Sequence, residues 1–299
     1  MTRLTPEARP ARTPPQPNRS MHLEKAPPPA WPVIVAYVAG FFLAEGASVG
    51  IVLAVAITRA GPHRERIAEE VTRFALSSPG MMASAFVDAI VLVAVALVTA
   101  RLLGRDITRT LRLQPSTASV VGICAAVGGM LGLGLACGAA SELLGLRGQG
   151  VMDLLAQALR SPTPAALVIG ILTIGISPGI AEETFFRGLI QTRLSASWGR
   201  WPAIAATSAA FGLIHLDPMQ GVLAFVAGLF LGWTAERFAG VRPTIVAHTA
   251  NNALFVAVAS LSGGGNSSRK SEFFVLAIGA ILFVASTMTM RSEAAVRQA

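Results

Sequence analysis

Two adjacent acids and an arginine interrupt a long apolar run in the second half of the chain. Glu182 and Glu183 stand together, and Arg187 follows Glu183 by four residues. Ionisable side chains inside a membrane span are costly and usually mark a functional site. Glu183 and Arg187 have the spacing of helical neighbours and could pair, whereas Glu182 projects about 100° away. This favours Glu182 as a general base, although a structural ion pair near the membrane surface fits the motif too.

Two histidines lie in later apolar runs, each four residues from a second notable side chain. His215 follows Phe211, and His248 precedes Asn252 on one helix face. Polar side chains within an apolar helix require polar partners or a water-filled cavity. His248 and Asn252 could stabilise an oxyanion, or His248 could bind a metal. Each motif alone is also compatible with hydrogen-bonded packing between helices.

The composition places these motifs in a membrane protein. Of 299 residues, 53% are hydrophobic and 13% charged, and the mean hydropathy is +0.60. A soluble domain has about 25% charged residues, so that class is excluded. The net charge is +8, but the basic residues lie in short segments between apolar runs. This pattern is typical of topology signals and predicts membrane lipids, not nucleic acid, as partners.

The predicted fold is all-α, a polytopic membrane bundle of about eight transmembrane helices. A span needs roughly 20 apolar residues, and 202–216 is short for one. Residues 151–160 have helical periodicity and predict an interfacial helix. Cys124 and Cys137 are interpreted as small apolar residues, not as a disulfide. The predicted spans are 31–58, 81–100, 117–146, 164–193, 202–216, 219–235, 243–261 and 273–290.

The chain divides into four predicted parts. Residues 1–30 form a disordered, Pro- and Arg-rich tail, residues 31–160 the first transmembrane helices, 161–262 a catalytic core, and 263–299 the last span with a basic tail. Arg and Lys are most frequent in the tail and in alternate loops after it, so both termini are expected in the cytoplasm. The Ala-, Gly- and Arg-rich composition favours a multi-pass protein of a bacterial inner membrane.

The three motifs, in this order on successive apolar segments, resemble the CPBP family of intramembrane proteases. That family includes CAAX prenyl endopeptidase type 2 and bacterial Abi and lysostaphin-resistance-like proteins. Its signature is Glu-Glu-x-x-x-Arg, Phe-x-x-x-His and His-x-x-x-Asn, and the resemblance covers roughly residues 164–255. It implies hydrolysis of a peptide bond in a membrane-bound protein or peptide, which is prenylated or CAAX-like in one branch.

The resemblance also implies a role for each side chain. Glu182 and His215 would activate a water, His248 and Asn252 would stabilise the oxyanion, and Glu183 and Arg187 would be structural. This mechanism needs no cofactor. A zinc metalloprotease is the alternative, with Glu182, His215 and His248 as three ligands, although the His-Glu-x-x-His helix of many zinc proteases is missing from the sequence.

A simple alternation of straight spans does not bring these side chains together. Residues 164–181 alone make about 27 Å of helix, which would place Glu182 near the cytoplasmic face and His215 near the opposite one. A shared site predicts instead a helix over about 168–193 with a kink at Pro178-Gly179. The segment that carries His215 would be tilted or would continue past that residue.

Two other functions remain open from the residues alone. Intramembrane acids and histidines also relay protons or bind ions in transporters and channels, and a non-catalytic scaffold could keep the same fold. Glu45, Asp88 and Glu142 are further acids in apolar runs. They belong to no motif and are expected to be structural or interfacial.

Overall fold

A computed structural model describes residues 27–104, 106–146, 150–160, 163–261 and 268–298, with side chains described as far as residue 293. Most of the predicted tail, residues 1–26, therefore lies outside the described residues, as do the loop residues Arg105 and Arg147. The predicted division of the chain into four parts stays a prediction.

The described residues fold into helices joined by short turns. A single 3₁₀ turn, Arg64–Arg66, precedes the second helix. The helices are α1 Trp31–Ala60, α2 Ile67–Ala75, α3 Ser78–Leu103, α4 Ile107–Thr110, α5 Val120–Leu143, α6 Val151–Ala158, α7 Pro164–Trp198, α8 Arg200–Leu213, α9 Pro218–Arg237, α10 Arg242–Leu261 and α11 Arg269–Gln298.

The prediction of an all-α membrane bundle is confirmed. In the described residues, seven helices are long and apolar enough to cross a membrane, namely α1, α3, α5, α7, α9, α10 and α11. The remaining predicted span, 202–216, corresponds to α8, which has 14 residues. That is about 21 Å of helix, short of the roughly 30 Å hydrocarbon core, so α8 enters the bundle without crossing it.

Helix α7, which carries the two acids, is longer and less regular than the predicted helix over 168–193. It runs for 35 residues and contains two π-helical segments, Ile171–Ile176 and Glu183–Gln191. Pro178 comes just after the first of them, where its missing N–H is accommodated. π turns are frequent at functional sites, and here they lie on both sides of Glu182, the predicted general base.

Glycines allow two close helix contacts beside the acids and the histidines. A Cβ atom at Gly179 of α7 would lie 3.0 Å from the backbone of Thr249 in α10. One at Gly212 of α8 would lie 2.6 Å from the carbonyl oxygen of Gly221 in α9. Only a residue without a side chain fits such contacts. Helices α8 and α9 therefore form a tight hairpin, and its turn carries His215 into the bundle.

Two apolar clusters hold the helices around this region. One packs α1, α3, α7 and α8 around the buried rings of Phe185 and Phe186. The other packs α5, α9, α10 and α11 around Phe230 and Met290. Phe211 belongs to the first cluster and Ala247 to the second, so the predicted catalytic residues lie where the two clusters meet.

Candidate active site

Glu183 and Arg187 form a fully buried ion pair on α7. Arg187 Nη1 donates to Glu183 Oε1 over 2.8 Å, and both side chains have 0% exposure. The guanidinium also lies over the ring of Phe211, 4.5 Å from its centroid. A cation on an aromatic face is attracted by the ring's electron density. The arginine is thus fixed by one helical neighbour and by one residue of α8.

Glu183 has a second contact, which joins α7 to α10. Nδ1 of His248 donates to the same oxygen, Glu183 Oε1, over 2.9 Å. A carboxylate that accepts from one ring nitrogen fixes the orientation of an imidazole and leaves the other nitrogen for chemistry. Nε2 of His248 therefore points towards Glu182, whose Oε2 lies 3.6 Å away.

Sequence reasoning did not find this role of Glu183. The two residues are 65 positions apart, so no local spacing relates them. The sequence motifs indicated only that Glu183 and His248 lie in separate apolar helices. Which carboxylate would meet which histidine depends on how α7 and α10 cross.

His215 lies in the turn after α8, and its ring is also held by Nδ1. That nitrogen donates to the carbonyl oxygen of Phe211 over 2.8 Å. Because a carbonyl can only accept, Nε2 of neutral His215 carries the lone pair. The Phe211 ring stands edge-on to both histidines, 5.1 Å from His215 and 5.8 Å from His248. Phe211 therefore contacts both imidazoles and helps to fix their positions.

The Phe211 ring is itself fixed by aromatic neighbours. Its centroid is 5.0 Å from that of Phe186, which in turn lies 5.2 Å from Phe185. Offset and edge-to-face pairs at such distances add to the burial of the rings. Tyr37 of α1 completes the support, because its hydroxyl donates to the carbonyl of Ala210 over 3.0 Å.

Asn252 follows His248 by one helical turn on α10. Its Oδ1 accepts from Nδ2 of the neighbouring Asn251 over 3.4 Å. This contact occupies the oxygen of Asn252 and leaves its Nδ2 as a donor. Asn251 thus orients the amide that the sequence singled out.

One cavity of about 600 Å³ brings the four predicted catalytic side chains together: Glu182, His215, His248 and Asn252 all line it. Glu183 and Arg187 are buried behind it. The lining also includes residues to which the sequence assigned no chemistry, among them Asn251, Asp217 and Glu142. Straight spans would have placed Glu182 and His215 near opposite membrane faces. In the structure α8 ends inside the bundle, so His215 is not carried to the opposite face and lines the same cavity as Glu182.

Asp217 joins two helix ends beside this cavity. Its Oδ1 accepts from the backbone N–H of Gln220 at 2.7 Å, and its Oδ2 accepts from that of Val151 at 3.2 Å. Asp217 therefore caps α9 and holds the start of α6. The N–H of Gln220 is the main reason why the pKa of Asp217 is lowered from its ordinary value.

The residues of the zinc alternative do not form a coordination group. Among the described residues, no three His, Cys, Asp or Glu side chains are arranged to hold a metal ion. Glu182 and His248 approach each other, and His215 lines the same cavity, but a catalytic zinc needs three protein ligands at about 2 Å.

Two further intramembrane acids, Asp88 and Glu142, lie near the proposed site. Asp88 lies between α3 and α1, where its Oδ1 accepts from the hydroxyl of Ser48 at 2.5 Å. Glu142 lies on the cavity wall near the end of α5. Asp88 is close enough to Glu45 and Glu182 for the three carboxylates to interact electrostatically, so it belongs to the surroundings of the proposed base.

Comparison with known proteins supports a hydrolytic site. Residues 164–254 match the family model described as Type II CAAX prenyl endopeptidase Rce1-like. Neither the search of curated proteins nor the search of solved structures found a match. The matched range runs from the start of α7 to Leu254 of α10 and contains every side chain of the predicted site. The resemblance is thereby confirmed: over residues 164–254 this multi-pass membrane protein is similar to the Rce1-like type II CAAX prenyl endopeptidases, a family of membrane proteases.

Proposed function

We propose that the protein is an intramembrane endopeptidase that cleaves a peptide bond of a membrane-associated protein or peptide. The observation that carries the proposal is the single cavity lined by Glu182, His215, His248 and Asn252. Two bases and two hydrogen-bonding side chains around one cavity are what amide hydrolysis requires. The family match of residues 164–254 supports the same reaction class.

Glu182 is proposed as the general base. Its partner acid Glu183 is occupied by Arg187 and His248, whereas the side chain of Glu182 keeps 20% exposure on the cavity. Glu182 takes a proton from a water as the water oxygen attacks the substrate carbonyl. The same proton then passes to the leaving amine, so the carboxylate is regenerated. Positioned acid–base groups contribute roughly 10²–10⁴-fold to such reactions.

His215 is proposed to share the activation of the water. With Nδ1 bound to the carbonyl of Phe211, its Nε2 is the nitrogen available to accept a hydrogen bond. Two hydrogen-bond acceptors, the carboxylate of Glu182 and Nε2 of His215, orient the water for attack.

His248 and Asn252 are proposed to stabilise the tetrahedral oxyanion. Nδ1 of His248 is bound to Glu183 and Oδ1 of Asn252 to Asn251. The oxyanion therefore accepts from Asn252 Nδ2 and from Nε2 of His248, which can donate there only when the ring carries a proton on both nitrogens. Donors fixed in advance in a water-poor site are worth more than the same groups in water.

The test is cleavage of a membrane-bound reporter peptide by purified protein in lipid vesicles. Glu182→Gln keeps the size of the side chain and removes the base, so we expect cleavage to fall by at least about 10²-fold. Glu65→Gln makes the same change at an exposed acid outside the cavity lining and should leave the rate unchanged. If Glu182→Gln still cleaves the reporter, Glu182 is not the general base.

Elemental analysis of active protein separates the metal-free mechanism from the zinc alternative. Protein purified without added metal should cleave the reporter and should carry less than stoichiometric zinc. Stoichiometric zinc whose removal abolishes cleavage would replace the glutamate mechanism by one with Glu182, His215 and His248 as ligands. Proton or ion flux across the same vesicles, without cleavage, would indicate a transporter instead.

A further inference from the structure

Asn251 lies beside Asn252 on α10 and also reaches a second helix, α5. Its Nδ2 donates to Oδ1 of Asn252 over 3.4 Å. Its own oxygen lies against Gly134 of α5, because a Cβ atom on that glycine would be only 2.5 Å from Asn251 Oδ1. One side chain therefore links the proposed oxyanion donor to the backbone of a helix that precedes the matched range 164–254.

The contact with Gly134 determines which end of the Asn251 amide faces α5. The hydrogen that glycine carries in place of a Cβ atom points towards this amide oxygen. An oxygen can accept a weak hydrogen bond from such a Cα–H group, whereas an NH₂ group would meet it with its own hydrogens. The oxygen of Asn251 is therefore favoured towards α5, and its Nδ2 is left to face Asn252.

The orientation of Asn252 matters because the two ends of its amide act oppositely on an oxyanion. Nδ2 donates hydrogen bonds, whereas Oδ1 only accepts them, so a flipped amide would place an acceptor beside negative charge. The hydrogen bond from Asn251 to Oδ1 opposes this flip. A donor that is oriented in advance needs no reorganisation when the charge develops.

Helix α5 is itself held in place by α11 on its other side. Gly132 and Gly134 are two residues apart, which is about 200° around a helix, so they face nearly opposite directions. A Cβ atom at Gly132 would lie 2.7 Å from the carbonyl oxygen of Gly279 in α11, and one at Gly279 would lie 2.7 Å from that of Gly132. Backbones approach this closely only through small residues. Helix α5 is thus enclosed between α11 and α10, which fixes the position of Gly134.

We propose that α5 and α11 orient the proposed oxyanion donor through Asn251, which keeps Nδ2 of Asn252 turned towards the reacting carbonyl. The proposal rests on the peptidase function proposed above. Gly134 and Asn251 are positioning residues in it, because they act on the reaction through Asn252. The geometry of the site then depends on one helix before the matched range 164–254 and on another after it.

Gly134→Ala tests the proposal without a change to any proposed catalytic side chain. Among the described residues, the new methyl group would meet only the free end of Asn251 within 4 Å, so the fold should tolerate it while that amide moves away. Gly138→Ala is the matched control, because it adds the same methyl group one turn along α5, where no described atom lies within 4 Å.

Steady-state cleavage of the vesicle-bound reporter compares these two variants. We expect kcat to be at least about tenfold lower in Gly134→Ala than in Gly138→Ala, because small displacements of catalytic groups are costly. KM should be similar in both, since the oxyanion forms only after binding. Equal kcat values overturn the proposal. A raised KM with unchanged kcat also overturns it, because Asn251 would then bind substrate.

A double-mutant cycle tests whether Gly134 acts through Asn251. Asn251→Ala should lower kcat by a similar factor, and Gly134→Ala added to it should cause no further loss, since no amide is left to displace. Losses that multiply contradict the proposal. Asn251→Leu keeps most of the side-chain volume without the donor and should lower kcat as much as Asn251→Ala does. If Asn251→Leu keeps the kcat of the unaltered protein, packing and not the hydrogen bond is responsible, and the proposal fails.

Melting temperatures of the same variants in detergent separate this proposal from the peptidase function. In the Asn251→Ala background, Gly134→Ala should raise the melting temperature, because helix propensity alone acts there. In the unaltered protein the contact with Asn251 should reduce or reverse this rise. Equal shifts in both backgrounds, with normal cleavage, overturn the proposal and leave the peptidase function intact. If the unaltered protein cleaves no reporter, the peptidase function fails and the role of Asn252 fails with it, while unequal shifts still show the contact between α5 and α10.

Discussion

At the scale of single residues, the site depends on one carboxylate with two partners. Glu183 accepts from both Arg187 and His248 through the same oxygen, and its side chain is fully buried. A buried charge is tolerated only when it is paired and hydrogen-bonded. Glu183 therefore couples the stability of α7 to the orientation of His248 on α10, for which a catalytic role is proposed.

Removal of the arginine alone should strongly destabilise the protein. Arg187→Met leaves the Glu183 carboxylate buried without its cation, at a cost of about 3–5 kcal/mol. The double variant Arg187→Met/Glu183→Gln should recover a large part of this loss, because no unpaired charge remains. Unfolding of each variant in detergent, monitored by helical circular dichroism, measures the difference. Equal loss in the single and double variants contradicts the coupling.

The amide of Asn252 should affect the rate of the chemical step more than binding. Asn252→Ala removes one donor to the oxyanion, and such losses lower kcat by about 10²–10³-fold. KM should change little, because the ground-state carbonyl does not yet carry the charge. Steady-state cleavage of the vesicle-bound reporter gives both constants. A raised KM with unchanged kcat would assign Asn252 to substrate binding instead.

At the scale of elements, the position of His215 depends on a helix hairpin and not on a membrane crossing. Helix α8 has 14 residues and turns back through α9. Gly212 and Gly221 allow the two backbones to meet. The π-helical segments of α7 similarly place Glu182 and Glu183 against α10, where regular spacing would direct side chains differently.

A methyl group in the hairpin should therefore disturb both stability and activity. In Gly212→Ala the new Cβ would lie 2.6 Å from the backbone oxygen of Gly221, so the helices must separate, at a cost of about 1–3 kcal/mol. The matched control is Gly50→Ala on α1, where nothing lies within 4 Å and helix propensity alone favours alanine. Thermal unfolding and reporter cleavage are compared for the pair. Similar melting temperatures and cleavage rates for the two variants would show that the close contact of Gly212 with Gly221 contributes neither to stability nor to activity.

Asp217 should stabilise the fold only while it is ionised. Backbone N–H groups hold its pKa below the ordinary value, so its contribution is complete above the unfolded pKa of about 3.9 and is lost as the pH falls through the folded value. Asp217→Ala should lower the melting temperature at pH 7 and at pH 5 by similar amounts. The difference from the unaltered protein should shrink below about pH 4. A difference that grows towards low pH is the contrary outcome.

At the scale of the whole molecule, charge and packing are asymmetric along the bundle. The end of the bundle at which α1 begins and α11 ends, called the basic end, exposes Arg101, Arg109, Arg200 and Arg242. The opposite end exposes basic side chains too, but it also carries acids such as Glu69 and Glu70, which pair with Arg73. The cavity reaches the other end, where Glu142, Asp217 and Glu272 lie on its walls. The net positive charge of the basic end suits an anionic leaflet, whereas the cavity lining reaches the other end.

Anionic lipid should stabilise the bundle through its basic end. Each arginine near an anionic surface contributes about 1 kcal/mol of attraction, and salt screens it over about 8 Å at physiological strength. In nanodiscs, the melting temperature should rise with the anionic fraction, and the rise should fade in about 1 M salt. Arg101→Gln/Arg200→Gln should lose more of this rise than Arg64→Gln/Arg66→Gln at the opposite end. Equal losses would argue against an asymmetric surface.

The sequence by itself determined the class of fold and predicted the candidate residues of the site. Apolar runs of spanning length can be satisfied only by helices, because backbone groups find no other partners in lipid. Local spacing identified Glu182, His215, His248 and Asn252, since helical neighbours are fixed by geometry. The family resemblance over 164–255 agrees with the match at 164–254.

Only the tertiary structure decided how these side chains meet. Nothing local shows that α8 stops short of a crossing, that Glu183 rather than Glu182 holds Nδ1 of His248, or that Phe211 contacts both histidines. These features arise from contacts between residues far apart in the chain, and helix crossing and packing set them, whereas a periodic sequence pattern reports only which face of each helix is buried.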